Sequence, residues 1–386
     1  MPSPTASDRR ARWGISAVFF ADGAALGGYV AHLPDIQAKL HLTNAELGRT
    51  MLFSALGAIT TMPLAGPLIH RIGSRALTMV GLLALLLVAP FFVLAPSVPL
   101  VCLALYCIGV SNGQADVAMN THSMSVQDRF PKPILSAIHG WFSLGGFVGG
   151  AGAALTAKLG GSPATHMILS SLLLLIPAVY GLTGLLPWDT DKNAEAPKLA
   201  LPNRRTMFLG LLVVSAFVSE GALWDWSAVF LRKVLHSGAA LGAFGFALAS
   251  AGMALGRLLG DGWIHRLGYR QVLAGSAVLS GAAMLVATHV PNVYVSIAAF
   301  TLMGVGVANM VPLLFRAAAR QPGISASAGL AAVTTCGYTG FLGGPPLLGY
   351  VADRFTLPFA LSLLAGLCFV IAFGSRKAMT HLQSGS

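Results

Sequence analysis

The chain has 386 residues, of which 55% are hydrophobic and only 10% charged. A soluble globular domain carries about a quarter of its residues charged, so this composition excludes one and describes an integral membrane protein. The net charge of +11 at pH 7 comes from short basic clusters between apolar runs, without interleaved surface aromatics. That is the pattern of solvated membrane faces and argues against a nucleic-acid partner.

A membrane-crossing helix takes about 20 mainly apolar residues. Twelve such windows occur: 13–33, 47–69, 76–95, 98–121, 134–157 and 165–187 in the first half, then 206–231, 239–263, 271–289, 292–315, 326–351 and 357–375 in the second. Ahead of the first span, Arg9-Arg10-Ala11-Arg12 has the look of a signal peptide, but Asp22 interrupts the apolar run and eleven more spans come after, so a retained first helix is expected. Between the halves, residues 188–205 hold Asp189, Asp191, Lys192, Glu195 and Lys198 and read as a flexible linker. The expected organisation is therefore a six-helix bundle over 1–187, a linker over 188–205 and a second six-helix bundle over 206–386.

A duplication supports this division. Ile69-His70-Arg71-Ile72-Gly73-Ser74-Arg75 after span 2 returns as Ile264-His265-Arg266-Leu267-Gly268-Tyr269-Arg270 after span 8, 195 positions later. Asp22-Gly23-Ala24 parallels Glu220-Gly221-Ala222, Gly109-Val110 parallels Gly304-Val305, and His139-Gly140-Trp141 parallels Cys336-Gly337-Tyr338, at offsets of 198, 195 and 197. A near-constant offset over several helices predicts two like bundles related by a pseudo-twofold axis.

Lys and Arg give the orientation. With a cytoplasmic N-terminus, seventeen of the 24 lie on the cytoplasmic side, among them Arg9, Arg71, Arg75, Arg129, Arg205, Arg266, Arg316 and Lys377. Six lie opposite (Lys39, Arg49, Lys158, Arg232, Lys233, Arg354), and Arg257 falls within a span. The positive-inside rule then puts both termini, the linker and both repeated turns in the cytoplasm.

The turn Gly66-Pro67-Leu68-Ile69-His70-Arg71-Ile72-Gly73-Ser74-Arg75, echoed after span 8, resembles the signature loop of the major facilitator superfamily of secondary transporters. The stretches 112–120 (Asn-Gly-Gln-Ala-Asp-Val-Ala-Met-Asn) and Glu220 to Ser227 are similar to a poorly characterised bacterial, sugar-transporter-like branch of it. The resemblance covers the whole chain and implies an all-α fold of twelve transmembrane helices in two bundles, in a bacterial inner membrane, with helices 1, 4, 7 and 10 lining a central cavity. One departure stands out: the family's loop carries an aspartate where this chain has His70 and His265. The usual acid-to-helix-end latch therefore lacks its acid. A gate on the cytoplasmic side is expected from His70, Arg71, Arg75, Arg257, Asp261, His265 and Arg266, with Arg257, Asp261 and His265 on one helical face at i, i+4, i+8.

Buried acids carry the functional expectation. Asp22, Asp116, Glu220 and Asp225 lie inside apolar spans, where a charge costs roughly 2.5 to 3.5 kcal/mol at the bilayer centre and usually marks an ion or substrate path. Proton coupling is expected at Asp22, Asp116 and Glu220, with His139 near Asp116 as a relay. Asn112, Asp116 and Asn120 form a polar stripe at i, i+4, i+8 along span 4, and Asn309 of span 10 aligns with Gln114. Solute contacts are expected from Asn112, Gln114, Asn120, Asn309 and Asp225, and from the rings of Trp141, Trp224 and Tyr338. For each of these residues, interhelical packing is the competing reading.

Glycines 145, 146, 149, 150 and 152 in span 5, and 340, 343, 344 and 349 in span 11, allow close helix approach rather than cradling a phosphate. The four cysteines lie in apolar runs without ligand spacing, and neither a nucleophile elbow nor a nucleotide fingerprint occurs, so no metal, cofactor or enzymatic reaction is expected. The expectation is a monomeric secondary transporter that moves a small polar organic solute, sugar-like or another metabolite, by alternating access with proton coupling. Proton-antiport efflux of drugs or lipophilic metabolites is the alternative. Span 5 lacks the proline of the family's antiporter element, which favours symport or uniport over efflux.

Overall fold

The structure, a computed structural model, describes residues 4–132, 134–188, 190, 206–322 and 324–380. The linker expected over 188–205 therefore lies almost wholly outside the described residues. All regular structure among them is helical. The helices are α1 (Ala6–Ala31), α2 (Leu33–Lys39), α3 (Asn44–Leu94), α4 (Val98–Gln127), α5 (Leu135–Lys158), α6 (Pro163–Gly184), α7 (Met207–Lys233), α8 (Ala239–Leu267), α9 (Tyr269–His289), α10 (Val293–Val307), α11 (Met310–Ala319), α12 (Ala326–Arg354) and α13 (Leu357–Ala378).

Among the described residues, nine runs are long and apolar enough to cross a membrane. They include α1 with α2 as one run and α10 with α11 as another. The glycine-rich α5 and α12 are not among them, because glycine dilutes their apolar side chains. At 51 residues α3 is too long for one crossing, since about 20 suffice, and it contains the window predicted at 47–69 and all but the last residue of the one at 76–95.

The break inside α3 falls at Gly73, with φ 80° and ψ 154°, and the junction of α8 and α9 falls at Gly268, with φ 84° and ψ 161°. This backbone region is essentially closed to residues with a Cβ, so both copies of the repeated turn use glycine for the same reversal. Replacing either glycine by alanine is expected to cost about 1–3 kcal/mol of strain. At Gly73 the added methyl would also overlap the backbone oxygen of Trp188, whereas at Gly268 it meets only the Gln271 side-chain oxygen at 3.2 Å. Gly73→Ala should therefore destabilise more than Gly268→Ala in detergent unfolding, and equal losses would show that the Trp188 contact is immaterial.

The duplication extends to helix crossings. A methyl on Gly109 would run into the carbonyl oxygen of Ser54, and one on Gly304 into that of Ala249; Gly57 meets Tyr106 as Gly252 meets Thr301. All four correspondences keep the offset of 195. Small residues that let backbones touch are how apolar helices pair without a hydrophobic driving force.

The described chain forms two compact units. The first takes residues up to 42, then 50 to 190, and 239–247; the second takes 43–49, 206–238 and 248 onward. In the first unit α1 packs on α5 and α6. In the second, α9 packs on α13 and α10, and α7 on α12. The N-terminus of α1 is closed by a capping box: the Thr5 hydroxyl and N–H donate to Asp8 Oδ2 at 2.6 and 2.9 Å, and Arg129 donates to Asp8 Oδ1 at 3.2 Å. These donors, Thr5 foremost, hold the Asp8 carboxyl below the usual carboxylate range, so the cap's contribution is present above the ordinary Asp range and is lost only as pH falls through the lowered value.

In the second unit, Asp353 at the end of α12 accepts the backbone N–H groups of Asn44 and Ala45 at 2.9 and 2.8 Å. Burial works against its charge, but these donors outweigh it and leave the carboxyl below its ordinary range.

Candidate functional site

In the first unit the site centres on Asp22, sixteen residues into α1. Its side chain is wholly buried, and neither carboxyl oxygen has a hydrogen-bond partner among the described residues. A second acid, Asp116, lies on α4, which packs against α1. Asp116 Oδ1 accepts from Asn120 Nδ2 at 2.9 Å, and the same amide also reaches the Asp116 carbonyl at 2.8 Å. One end of the predicted stripe is thus hydrogen-bonded along its own helix, while the buried Oδ1 of Asn112 at the other end has no partner among the described residues. Gln114 is half-buried on the same helix.

This crowding follows from local sequence. Gly23, next to Asp22, has the backbone of Phe142 against it, so α1 and α5 approach too closely for solvent between them. Near that crossing, the His139 ring stands edge-on to Phe19 at 5.0 Å, and Trp141 sits between Trp13 and Phe20 at 6.0 and 6.3 Å. Trp141 is therefore placed in an aromatic cluster between α1 and α5.

The second unit is arranged differently. Glu220 of α7 accepts from Arg257 of α8, Nη2 to Oε1 at 2.9 Å, with both side chains mostly buried. Arg257, expected at a gate with Asp261 and His265, is thereby drawn to the acid of the neighbouring helix, while Asp261, His265 and Arg266 are exposed at the end of α8. Trp224 Nε1 donates to Met253 Sδ at 3.0 Å. The buried Asn309, at the junction of α10 and α11, donates to the Gly256 carbonyl at 2.9 Å and so ties that junction to α8. Tyr338 is half-buried on α12. Asp225 lines a small cleft between α7 and α12. In the first copy of the turn His70 and Arg71 are exposed, whereas Arg75 lines an open groove with Trp188.

Two histidine clusters were not expected. His122 of α4, 1% exposed, contacts Ser74 Oγ at 2.7 Å through Nδ1 and accepts the Leu186 N–H at 3.1 Å through Nε2, fastening the repeated turn to the ends of α4 and α6. At the opposite end of α1, His32 Nδ1 lies 2.6 Å from Asp35 Oδ2 and His32 Nε2 lies 2.9 Å from His166 Nδ1. With Asp35 ionised, His32 Nδ1 carries a proton, and in the neutral chain His166 Nδ1–H donates to His32 Nε2. Only the His32–Asp35 spacing of three was visible in the sequence; His166 lies 134 residues away.

No protein-family model matches the chain. An uncharacterised MFS-type transporter of Yersinia pestis is 32% identical over 363 residues, covering 94% of this chain and 94% of that protein. An uncharacterised transporter of Sinorhizobium fredii is 30% identical over 93% of this chain and 96% of its own length, and the membrane protein MosC of Rhizobium meliloti is 31% identical over 93% and 86%. Among solved structures, a point mutant of the nucleoside transporter NupG aligns over 95% of this chain and 99% of its own, with a TM-score of 0.73 and 14% identity. That likeness is one of fold.

Proposed function

The chain belongs to the major facilitator superfamily of transporters, and from that membership we propose a proton-coupled secondary transporter that moves a small polar organic solute by alternating access. The proposal includes twelve transmembrane helices in two pseudo-twofold six-helix bundles, over 1–187 and 206–386. It includes a bacterial inner membrane, cytoplasmic termini and a monomer.

The observation that carries proton coupling is Asp22. A wholly buried carboxyl with no hydrogen-bond donor among the described residues is suited to carry a proton, because its charge would be costly in an apolar helix bundle. Losing that proton requires water or a donor to reach it, which only a rearrangement of the surrounding helices supplies. Protonation and conformation are thereby linked. Glu220 has Arg257 as a hydrogen-bond partner at 2.9 Å, so Asp22, which has none among the described residues, carries the proposal more directly. A proton crossing 100 mV yields about 2.3 kcal/mol, enough for roughly 50-fold solute accumulation at 1.36 kcal/mol per tenfold.

The direct test needs no substrate. Infrared spectra of the protein in lipid should contain a protonated-carboxyl band at neutral pH that Asp22→Asn removes. A spectrum unchanged by that substitution would leave Asp22 without the proton. The topology has its own test in a background without native cysteines. Leu159→Cys, between α5 and α6, should react with an impermeant maleimide in intact cells, and Asp128→Cys, just after α4, only in inverted vesicles. The reverse pattern inverts the proposed orientation.

Efflux is the second reading, favoured by the apolar and aromatic cleft at Asp225. The polar stripe of Asn112, Asp116 and Asn120 on α4 favours uptake.

A further inference from the structure

Phe217, Gly221 and Asp225 follow one another at i, i+4, i+8 on α7, and with Trp226 they face Gly340, Phe341 and Gly344 of α12 across a cleft inside the second unit. The cleft exists because Gly221 has no side chain: a Cβ there would have nothing within 4 Å, and one on Gly344 only the Val218 methyls at 3.8 and 3.9 Å. Asp225 makes no hydrogen bond or ion pair among the described residues. It is the one ionisable side chain on a wall otherwise built of rings, aliphatic groups and glycine. The buried indole N–H of Trp226 also lacks an acceptor among the described residues.

We infer that this cleft holds the primary ammonium group of the transported solute, so that the solute is an organic amine; the inference rests on the transporter reading above. Asp225 is half-buried on a cleft wall, unlike the enclosed Asp22, so it can be ionised when a cation faces it, and a single carboxylate without a basic neighbour then selects a cation over an anion or a neutral sugar. Aromatic walls favour the same charge, since ring quadrupoles attract cations within about 6 Å. Size sharpens the choice. The water-accessible space is about 10 Å³, room for one water-sized group, and an ammonium head is of that size whereas a trimethylammonium is not. A metal cation is the poorer fit, because hard cations take about six oxygen ligands and the lining supplies one carboxylate.

Binding of radiolabelled ethylammonium to the purified full chain in lipid nanodiscs tests this, with tetramethylammonium, sodium and ethanol as competitors. Wild type should bind ethylammonium, and a thousandfold excess of any competitor should displace less than a tenth of it. Asp225→Asn should weaken binding at least tenfold. Gly221→Ala should do the same by placing a methyl in the space meant for the ammonium head, and its melting temperature should not fall, since a Cβ there meets nothing within 4 Å and glycine is the poorer helix former. Absence of ethylammonium binding to wild type, wild-type binding in Asp225→Asn, or equal displacement by tetramethylammonium would each overturn the assignment.

The test separates this inference from proton coupling. If the infrared band is present and removed by Asp22→Asn but ethylammonium does not bind, the amine site falls and proton coupling stands. If ethylammonium binds through Asp225 and the band is missing, the amine site stands and the coupling reading falls.

Discussion

In proteoliposomes with an imposed proton gradient, Asp22→Asn should reduce the roughly 50-fold accumulation available from 100 mV to simple equilibration, while the protein still folds. Asparagine keeps the volume and removes the ionisable proton, and the native carboxyl makes no hydrogen bond among the described residues whose loss would destabilise the chain. Asp116→Asn should also abolish accumulation if the two acids share one proton, and only weaken it if Asp22 alone carries it. Counterflow, which exchanges labelled for unlabelled solute without net proton movement, should survive in Asp22→Asn. Gradient-driven uptake at the wild-type level in Asp22→Asn would remove this residue from the coupling mechanism.

The second large effect concerns the ion pair of the other unit. Arg257→Met should destabilise the protein by about 3–5 kcal/mol, because it leaves the Glu220 carboxylate mostly buried without its 2.9 Å partner. The double variant Glu220→Gln, Arg257→Met should recover most of that loss, since no charge is then left uncompensated. Acidification separates the two: the deficit of the single variant should shrink as pH falls, because Glu220 can take up the missing compensation as a proton, while the double variant should respond like wild type. Equal deficits in the single and double variants, independent of pH, would assign the loss to packing of the arginine stem instead.

Much of the architecture was legible because it is written in composition and spacing. Apolar windows separated by basic turns gave the helices, and the 195-residue offset located Gly73 and Gly268, whose φ values of 80° and 84° agree within a few degrees. The same offset governs Gly109 against Ser54 and Gly304 against Ala249, a repeat that a single sequence shows only as a recurring Gly-Val. Helix boundaries were less legible: the window at 292–315 is divided at Asn309, whose side chain bridges to α8.

The acids divide in the same way. That Asp22, Asp116, Glu220 and Asp225 had to be functional or paired followed from sequence, since the cost of a charge in a bilayer does not depend on fold. Which of them is paired did not follow. Arg257 lies 37 residues beyond Glu220, on another helix, so the local spacing that groups it with Asp261 and His265 could not show that it reaches Glu220. His166 and His32 meet only because α1 and α6 pack side by side, and Ser74 and His122 only because the repeated turn folds against the end of α4.

The sequence by itself thus determined the membrane environment, the helices, the duplication and the set of residues whose burial demands an explanation, because each depends on the identity and spacing of residues near one another in the chain. The tertiary structure alone decided that Glu220 has a cation while Asp22 has none among the described residues, and that Gly221 opens space beside Asp225. Compensation of a buried charge, and an empty volume, are properties of side chains on different helices, brought within a few ångströms only by packing.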